Sequence, residues 1–270
     1  MKSSYIRYGA AAILHLIILQ ACSSDKGTHI SFERIDTRKE TRLTGDADSP
    51  GCVVEMAVHQ AKGVDGSNGG KAVEAVNTVI AKELFGMPGG NVGAAMDSFA
   101  CKYMHDYARA MSPLYANDRN DAERHSWYEY RYSIKTEVKA ERKDVDTYII
   151  STSYYEGGAH GIEQTRVINF NATTGSAIRL KDIFVPGYEA RLTDMLFTAL
   201  KKKTGTSGII ELQDKGYLCT TEMFVPENFM MTEEAIVFIY NVYEIAPYVN
   251  GKTELSIPWK ELSDIMKKEQ

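Results

Sequence analysis

The residue best placed by its neighbours to do chemistry is a histidine among glycines. His160 sits in Gly157-Gly158-Ala159-His160-Gly161, where glycine permits positive φ and close backbone approach. An imidazole on such a break could act as an exposed general base or ligand, with Glu163 the nearest following carboxylate in sequence. In extended backbone, however, residues three apart face opposite sides, which separates the pair. The reading taken is structural, with the imidazole bonding backbone inside the break. A wall-active hydrolase using His160 is the catalytic alternative, and it requires an acid or nucleophile within about 4 Å of the ring.

The other histidines offer less. His29, His59, His105 and His125 form no H-E-x-x-H pair, and the chain has no G-x-S-x-G, P-loop lysine motif or G-x-G-x-x-G. Gly86, Gly89, Gly90 and Gly93 precede a helical stretch and form a generic anion motif at most, so they read as a turn. His105 and Asp106 read as a solvated helix face. No Cys or His spacing suggests zinc. No catalytic residue, metal or cofactor is assigned, and the expectation is a protein that is not an enzyme.

A second constellation is aromatic. Tyr240, Tyr243, Pro247 and Tyr248, followed by Asn250-Gly251, lie at a strand end and its turn. Tyr240 and Tyr243 read as core, whereas Pro247 and Tyr248 divide evenly between packing and partner contact. The candidate partner-binding residues are Gly157, Gly158, His160, Pro247 and Tyr248.

Cys22 belongs to a different chemistry. Lys2 and Arg7 form a basic start, Ala10 to Leu19 an apolar stretch broken only by His15, and Leu19-Gln20-Ala21-Cys22 follows. This is the layout of a secretory signal, too short for the roughly 20 apolar residues a spanning helix needs. The Leu-x-Ala-Cys ending resembles a bacterial lipobox, which implies diacylation of Cys22 and removal of residues 1–21. Ser23, in place of an aspartate, favours the outer membrane. Cys52, Cys101 and Cys219 then remain, and three thiols form at most one disulfide.

With 31 Lys and Arg against 36 Asp and Glu the net charge is −5, and loss of Lys2 and Arg7 takes it to −7. A chain this acidic is a poor nucleic-acid binder, because phosphate recognition needs clustered cations. At 44% hydrophobic it is rich enough in apolar residues for a real core.

The elements that must position these residues follow from periodicity. Strands are expected at Ile30–Ile35 and Cys52–Val58, a loop at Val64–Gly70, and a helix on Val73, Val76, Ile80 and Leu84 closed by Gly86. A second helix should run from Val92 to Met111 and stop at Pro113. From Trp127 to Lys139 the period becomes 2, which predicts a half-solvated strand paired with Thr147–Tyr155. Pairing resumes through Val167–Phe170. A helix spans Tyr188–Lys203, Ile236–Ile245 reads as a central strand and Leu255–Ile257 as an edge strand, and Trp259–Met266 closes the chain as a short helix. Segregated groups of strands and helices give an α+β class with antiparallel sheets.

Three groups of residues are similar to a known family. They are Tyr154-Tyr155-Glu156-Gly157-Gly158-Ala159-His160-Gly161; Asn169-Phe170-Asn171 with Thr174-Gly175 and Leu180-Lys181-Asp182-Ile183-Phe184; and Tyr243-Glu244-Ile245-Ala246-Pro247-Tyr248 with Gly251. In combination they resemble the RsiV-type domain of unknown function, the extracellular part of a lysozyme-sensing anti-sigma factor. The resemblance covers the C-terminal part of the chain, and residues 30–155 look like the α+β domain that commonly precedes it. It implies two packed α+β subdomains, each an antiparallel sheet with one or two helices, and binding more than catalysis, with lysozyme or another envelope or host protein as partner. The chain lacks an internal transmembrane helix, a sigma-binding segment and a deacetylase module, so those roles are not carried over.

The expected organisation is a signal peptide at 1–21, a lipidated tether at 22–29, an N-terminal subdomain at 30–155 and a C-terminal RsiV-type subdomain at 156–270. The expected role is a lipid-anchored envelope binding module on the outer membrane. A structural scaffold lipoprotein is the third reading.

Overall fold

The computed structural model describes residues 30–63 and 69–268, so the signal peptide, Cys22, the tether and most of the loop expected at Val64–Gly70 lie outside the described residues. Strand β1, Ser31–Arg42, alternates charged and half-buried positions along its length. It pairs antiparallel with β2, Gly51–Gly63, which turns Cys52, Val54, Met56 and Val58 inward, none more than 2% exposed. The outward row of β1 carries Arg34, Asp36, Arg38 and Glu40, with Arg38 bonded to Glu55 of β2 at 2.7 Å. Charges along an edge strand discourage pairing with another chain.

Helix α1, Gly69–Phe85, buries Ala72, Val76, Ile80 and Ala81 on the inner face of this sheet. It ends as the sequence predicts, with Gly86 at φ +66° and its N–H on the Lys82 carbonyl at 2.9 Å. Helix α2, Val92–Asp118, begins where the Asn91 side chain accepts from the Ala94 N–H at 2.9 Å. It does not stop at Pro113. The proline sits inside the helix, and the added turn is anchored by buried Tyr115, whose hydroxyl lies 2.7 Å from His125 Nε2 and whose ring meets Tyr128 edge-on.

A 3-10 segment, Ala122–Tyr128, follows. Trp127 and Tyr128 therefore precede the strand that their alternation suggested, because Asp121 caps this turn and Tyr128 is buried with its hydroxyl donating to Asp118. Strand β3, Tyr130–Arg142, begins after it and runs parallel to β2, as two helices of crossover allow. Strand β4, Val145–Glu156, β5, Ile162–Asn171, and the short β6, Ala177–Ile178, then add antiparallel. The order β1-β2-β3-β4-β5-β6 makes one six-stranded sheet. Residues past 155, which the sequence reading puts in the C-terminal unit, thus complete the first sheet through pairing with β4.

The second core forms around α4, Tyr188–Thr204, where Leu192, Leu196 and Leu200 are fully buried. Each such side chain contributes about 1.5–3 kcal/mol of burial. The short helices α3, Leu180–Ile183, α5, Ile209–Asp214, and α6, Trp259–Leu262, complete this unit around the sheet β7-β8-β9, formed by Phe229–Met231, Ala235–Tyr240 and Thr253–Pro258. The central strand β8 has Ile236, Phe238 and Ile239 buried on both of its faces, as a continuous apolar run requires, but it ends at Tyr240 rather than Ile245.

Asparagines join the two sheets. Asn241 accepts from Thr165 N–H at 2.7 Å and donates to Thr165 carbonyl at 3.0 Å, while Asn228 accepts from Val167 N–H at 2.9 Å. Buried Asn169 donates to Phe229 carbonyl at 2.8 Å and accepts from Met231 N–H at 3.2 Å. Side-chain amides thereby satisfy backbone groups on the facing edges of β5 and β7.

Candidate functional site

Two turns that sequence singled out separately meet at one surface. The Gly157–Gly161 break between β4 and β5 carries Gly157 at φ +79° and Gly158 at φ +94°. It is fastened to the 3-10 segment: Tyr155 Oη donates to the Gly158 carbonyl at 2.9 Å and lies 3.4 Å from the Ser126 carbonyl. A methyl group on Gly157 would come within 2.4 Å of the Trp127 carbonyl oxygen, so the two segments touch along backbone.

His160 is exposed and its ring stacks on that of Tyr248, with centroids 4.4 Å apart and planes 23° apart. Its Nδ1 is 3.0 Å from the Gly161 carbonyl oxygen. A carbonyl only accepts, so Nδ1 is the donor in this bond. Among the described residues this is the ring's hydrogen bond, and Glu163 forms no ion pair with it. The imidazole bonds backbone and stacks.

The second turn is held from behind. Pro247 is exposed and packs on Gly216, which has φ +84°. Tyr248 begins a 3-10 turn, Tyr248–Asn250, closed by Gly251 at φ +67°. Tyr243, expected in the core, is instead 57% exposed at φ +70°, its centroid 6.0 Å from that of Tyr248. Left-handed backbone at a bulky residue is strained, and the surrounding bonds maintain it: Tyr243 N–H donates to the Ala246 carbonyl at 2.9 Å, and Asn241 N–H to Glu244 Oε2 at 2.8 Å. Burial pushes the Glu244 carboxyl above its ordinary value, opposed by the Asn241 bond. Tyr240, by contrast, is fully buried with its hydroxyl on the Phe224 carbonyl at 2.6 Å, as read.

The result is an exposed strip of His160, Tyr243, Tyr248 and Val249, the last 88% exposed. Gly157, Gly158 and Pro247 shape the backbone beneath and beside it. Sequence reasoning missed Val249 and Trp127, 56% exposed beside the break, because neither sits in a motif.

Of the remaining candidates, Cys219 lines a hollow with Gly216, Tyr243 and Pro247 behind the second turn, and the others lie elsewhere. Cys52, Cys101 and Cys219 are all free, and burial pushes the Cys52 thiol up to about 12, with Glu156 and Glu129 adding to the shift. His59 is half-buried; burial lowers it, while its bond with Thr136 opposes the shift. His105 is exposed beside Asp106, as a solvated face predicts. No group of three His, Cys, Asp or Glu side chains among the described residues is placed to hold a metal ion. No helix among them is long and apolar enough to cross a membrane.

Fold and surface together define an α+β protein of two packed sheets whose paired turns display aromatic rings. Residues 181–260 match the family model described as a protein of unknown function, DUF3298. The matched segment runs from α3 through β9 and includes the Tyr243–Gly251 turn. A DUF3298 family member from Bacteroides fragilis NCTC 9343 has a crystal structure with a TM-score of 0.82 and 28% identity, covering 90% of this chain and 96% of that one. A DUF3298 family protein from Pseudomonas aeruginosa PAO1 has a TM-score of 0.62 over 89% of this chain and 96% of its own, and at 17% identity it shows the fold alone. A comparison with curated proteins finds no match.

Proposed function

We propose that this protein is a lipid-anchored binding module of the cell envelope and that it recognises a protein through the His160, Tyr243, Tyr248 and Val249 strip. The observation that carries the reading is the His160–Tyr248 stack, which joins two turns of the RsiV-type resemblance into one exposed surface. Rigid aromatic rings lose little side-chain freedom on binding and recur at the energetic centres of interfaces. His160 bonds backbone and has no acidic partner among the described residues, which favours recognition over hydrolysis.

Lysozyme is the first partner to test, because the RsiV-type resemblance implies it and a net charge of −7 after signal removal suits a basic protein. The anchor rests on the lipobox-like ending at Cys22, and the acyl chains of a diacylated Cys22, at about 0.8 kcal/mol per buried methylene, would hold the module to the outer membrane.

The test is a titration of soluble residues 23–270 against lysozyme at low and physiological salt. Binding that weakens as salt rises, and at least tenfold in the double variant Tyr248→Ser, Val249→Ser, is the expected result. No binding by the wild-type chain at low salt rules out lysozyme. Binding untouched by the double variant rules out the strip.

A further inference from the structure

The helix-bearing face of the six-stranded sheet is not fully covered. Beyond the C-terminal end of α1, a hollow of about 400 Å³ opens over β3, β4 and β5, bounded across from them by Asn228, Asn241 and Glu244 of the second unit. Its volume falls within the usual range for small-ligand sites. Tyr132 and Tyr154, a cross-strand pair of β3 and β4, line it with rings 6.2 Å apart and 21° from parallel. Buried Ile134 and Ile150 line it too.

Polar side chains that line this hollow without a hydrogen-bond partner among the described residues include the hydroxyls of Tyr132, Tyr154 and Thr152, the amide of Gln164 and the carboxylate of Glu227. None is sealed from solvent without a partner, so they are solvated and open to exchange with a ligand. The positive charges, in contrast, are committed. Arg166 and Arg179 both bind the Glu83 carboxylate, Arg179 at 3.0 Å. Glu227 and Glu244 line the remainder, which leaves no excess of positive charge for a phosphate.

We propose that this hollow is a binding site for a neutral saccharide of one or two rings. Such a molecule presents C–H faces to the tyrosine rings and hydroxyls to Thr152 and Gln164. A wholly apolar ligand would desolvate these polar groups without replacing their bonds. A phosphorylated ligand would meet two arginines that Glu83 already neutralises. The site borders the Asn241–Glu244 turn that carries Tyr243, but no residue of the strip proposed for protein recognition lines it, and it does not depend on that proposal.

The test is an amide-resolved NMR titration of soluble residues 23–270 with chitobiose, cellobiose and maltose at millimolar concentration. Saturable shifts at Thr152, Tyr154 and Gln164 with at least one sugar are expected, weakened at least tenfold in Tyr154→Ala and Gln164→Ala. Thr152→Val, nearly the same shape, keeps the fold and is expected to weaken binding several-fold. Tyr248→Ser is expected to leave sugar binding unchanged while reducing protein binding, so the two proposals fail separately. No saturable shift with any of the three sugars, shifts confined to other surfaces, or binding indifferent to all three hollow variants would each overturn the proposal.

Discussion

At the scale of single residues, Gly157 controls whether the recognition strip forms. Its φ of +79° disfavours any side chain, and the nearest atom to an added Cβ is the backbone oxygen of Trp127, which cannot swing aside. Gly157→Ala should cost about 2 kcal/mol or more in a urea melt. It should also shift the tryptophan fluorescence, since Trp127 supports the break. A loss no larger than that of a surface substitution would mean the break is soft. Cys52 makes the opposite case, a residue with chemistry in its side chain and none available. Burial holds its thiol near 12, so iodoacetamide should label exposed Cys101 and Cys219 in the folded chain and reach Cys52 only after denaturant is added, as mass spectrometry would report. The two turns of the strip were legible in sequence as glycine-rich and Pro-Tyr segments. Their meeting was not, because stacking of His160 on Tyr248 depends on how two units pack. Nor was the exposure of Tyr243, since a positive φ at tyrosine leaves no mark in local composition.

Among the elements, α2 shows where local rules give way to packing. A proline inside a helix costs about 3 kcal/mol, because it removes one ladder bond and crowds the preceding turn. The helix nonetheless continues for five residues beyond Pro113, held by Tyr115 against His125 and Tyr128 and by Asn117 Nδ2 donating to the Pro113 carbonyl at 3.3 Å. Pro113→Ala restores the N–H that would bond the Arg109 carbonyl, and the expected gain is about 1–2 kcal/mol, read as a higher urea midpoint with an unchanged slope. A lower midpoint would show that the proline stiffens the turn. The same contrast explains what else was readable. Alternation along β3, the helical spacing of Leu192, Leu196 and Leu200, and Gly86 as a cap are local signals, and the structure has each of them. The parallel pairing of β2 with β3 is not local, because nothing in either strand specifies which edge the returning chain adds to.

For the molecule as a whole, the decisive contacts lie where the two units join. Asn169, Asn228 and Asn241 bond backbone across the joint, and Glu83 adds the one carboxylate that gathers α1, β5 and the β6–α3 junction through Arg166 and Arg179. The Glu83 side chain is 18% exposed, so its ion pairs are better shielded than the Arg34–Asp36 and Arg38–Glu40 pairs of β1, where both partners are more than half exposed. Burial alone would push its carboxyl up. The hydrogen bond from Arg179 and the charge of Arg166 outweigh that and hold it below its ordinary 4.5. A carboxyl lowered by folding stabilises the native state at every pH above its unfolded value, and that contribution disappears as pH falls through the folded value. Glu83→Gln should therefore destabilise the chain by about 1–2 kcal/mol at pH 7. The gap to wild type should narrow as the solution is acidified below pH 4.5, until protonated Glu83 and glutamine are equivalent. Urea melts of both chains at pH 7, 5, 4 and 3 measure this, and a gap that stays constant across the series would mean that Glu83 holds the joint by its shape rather than by its charge.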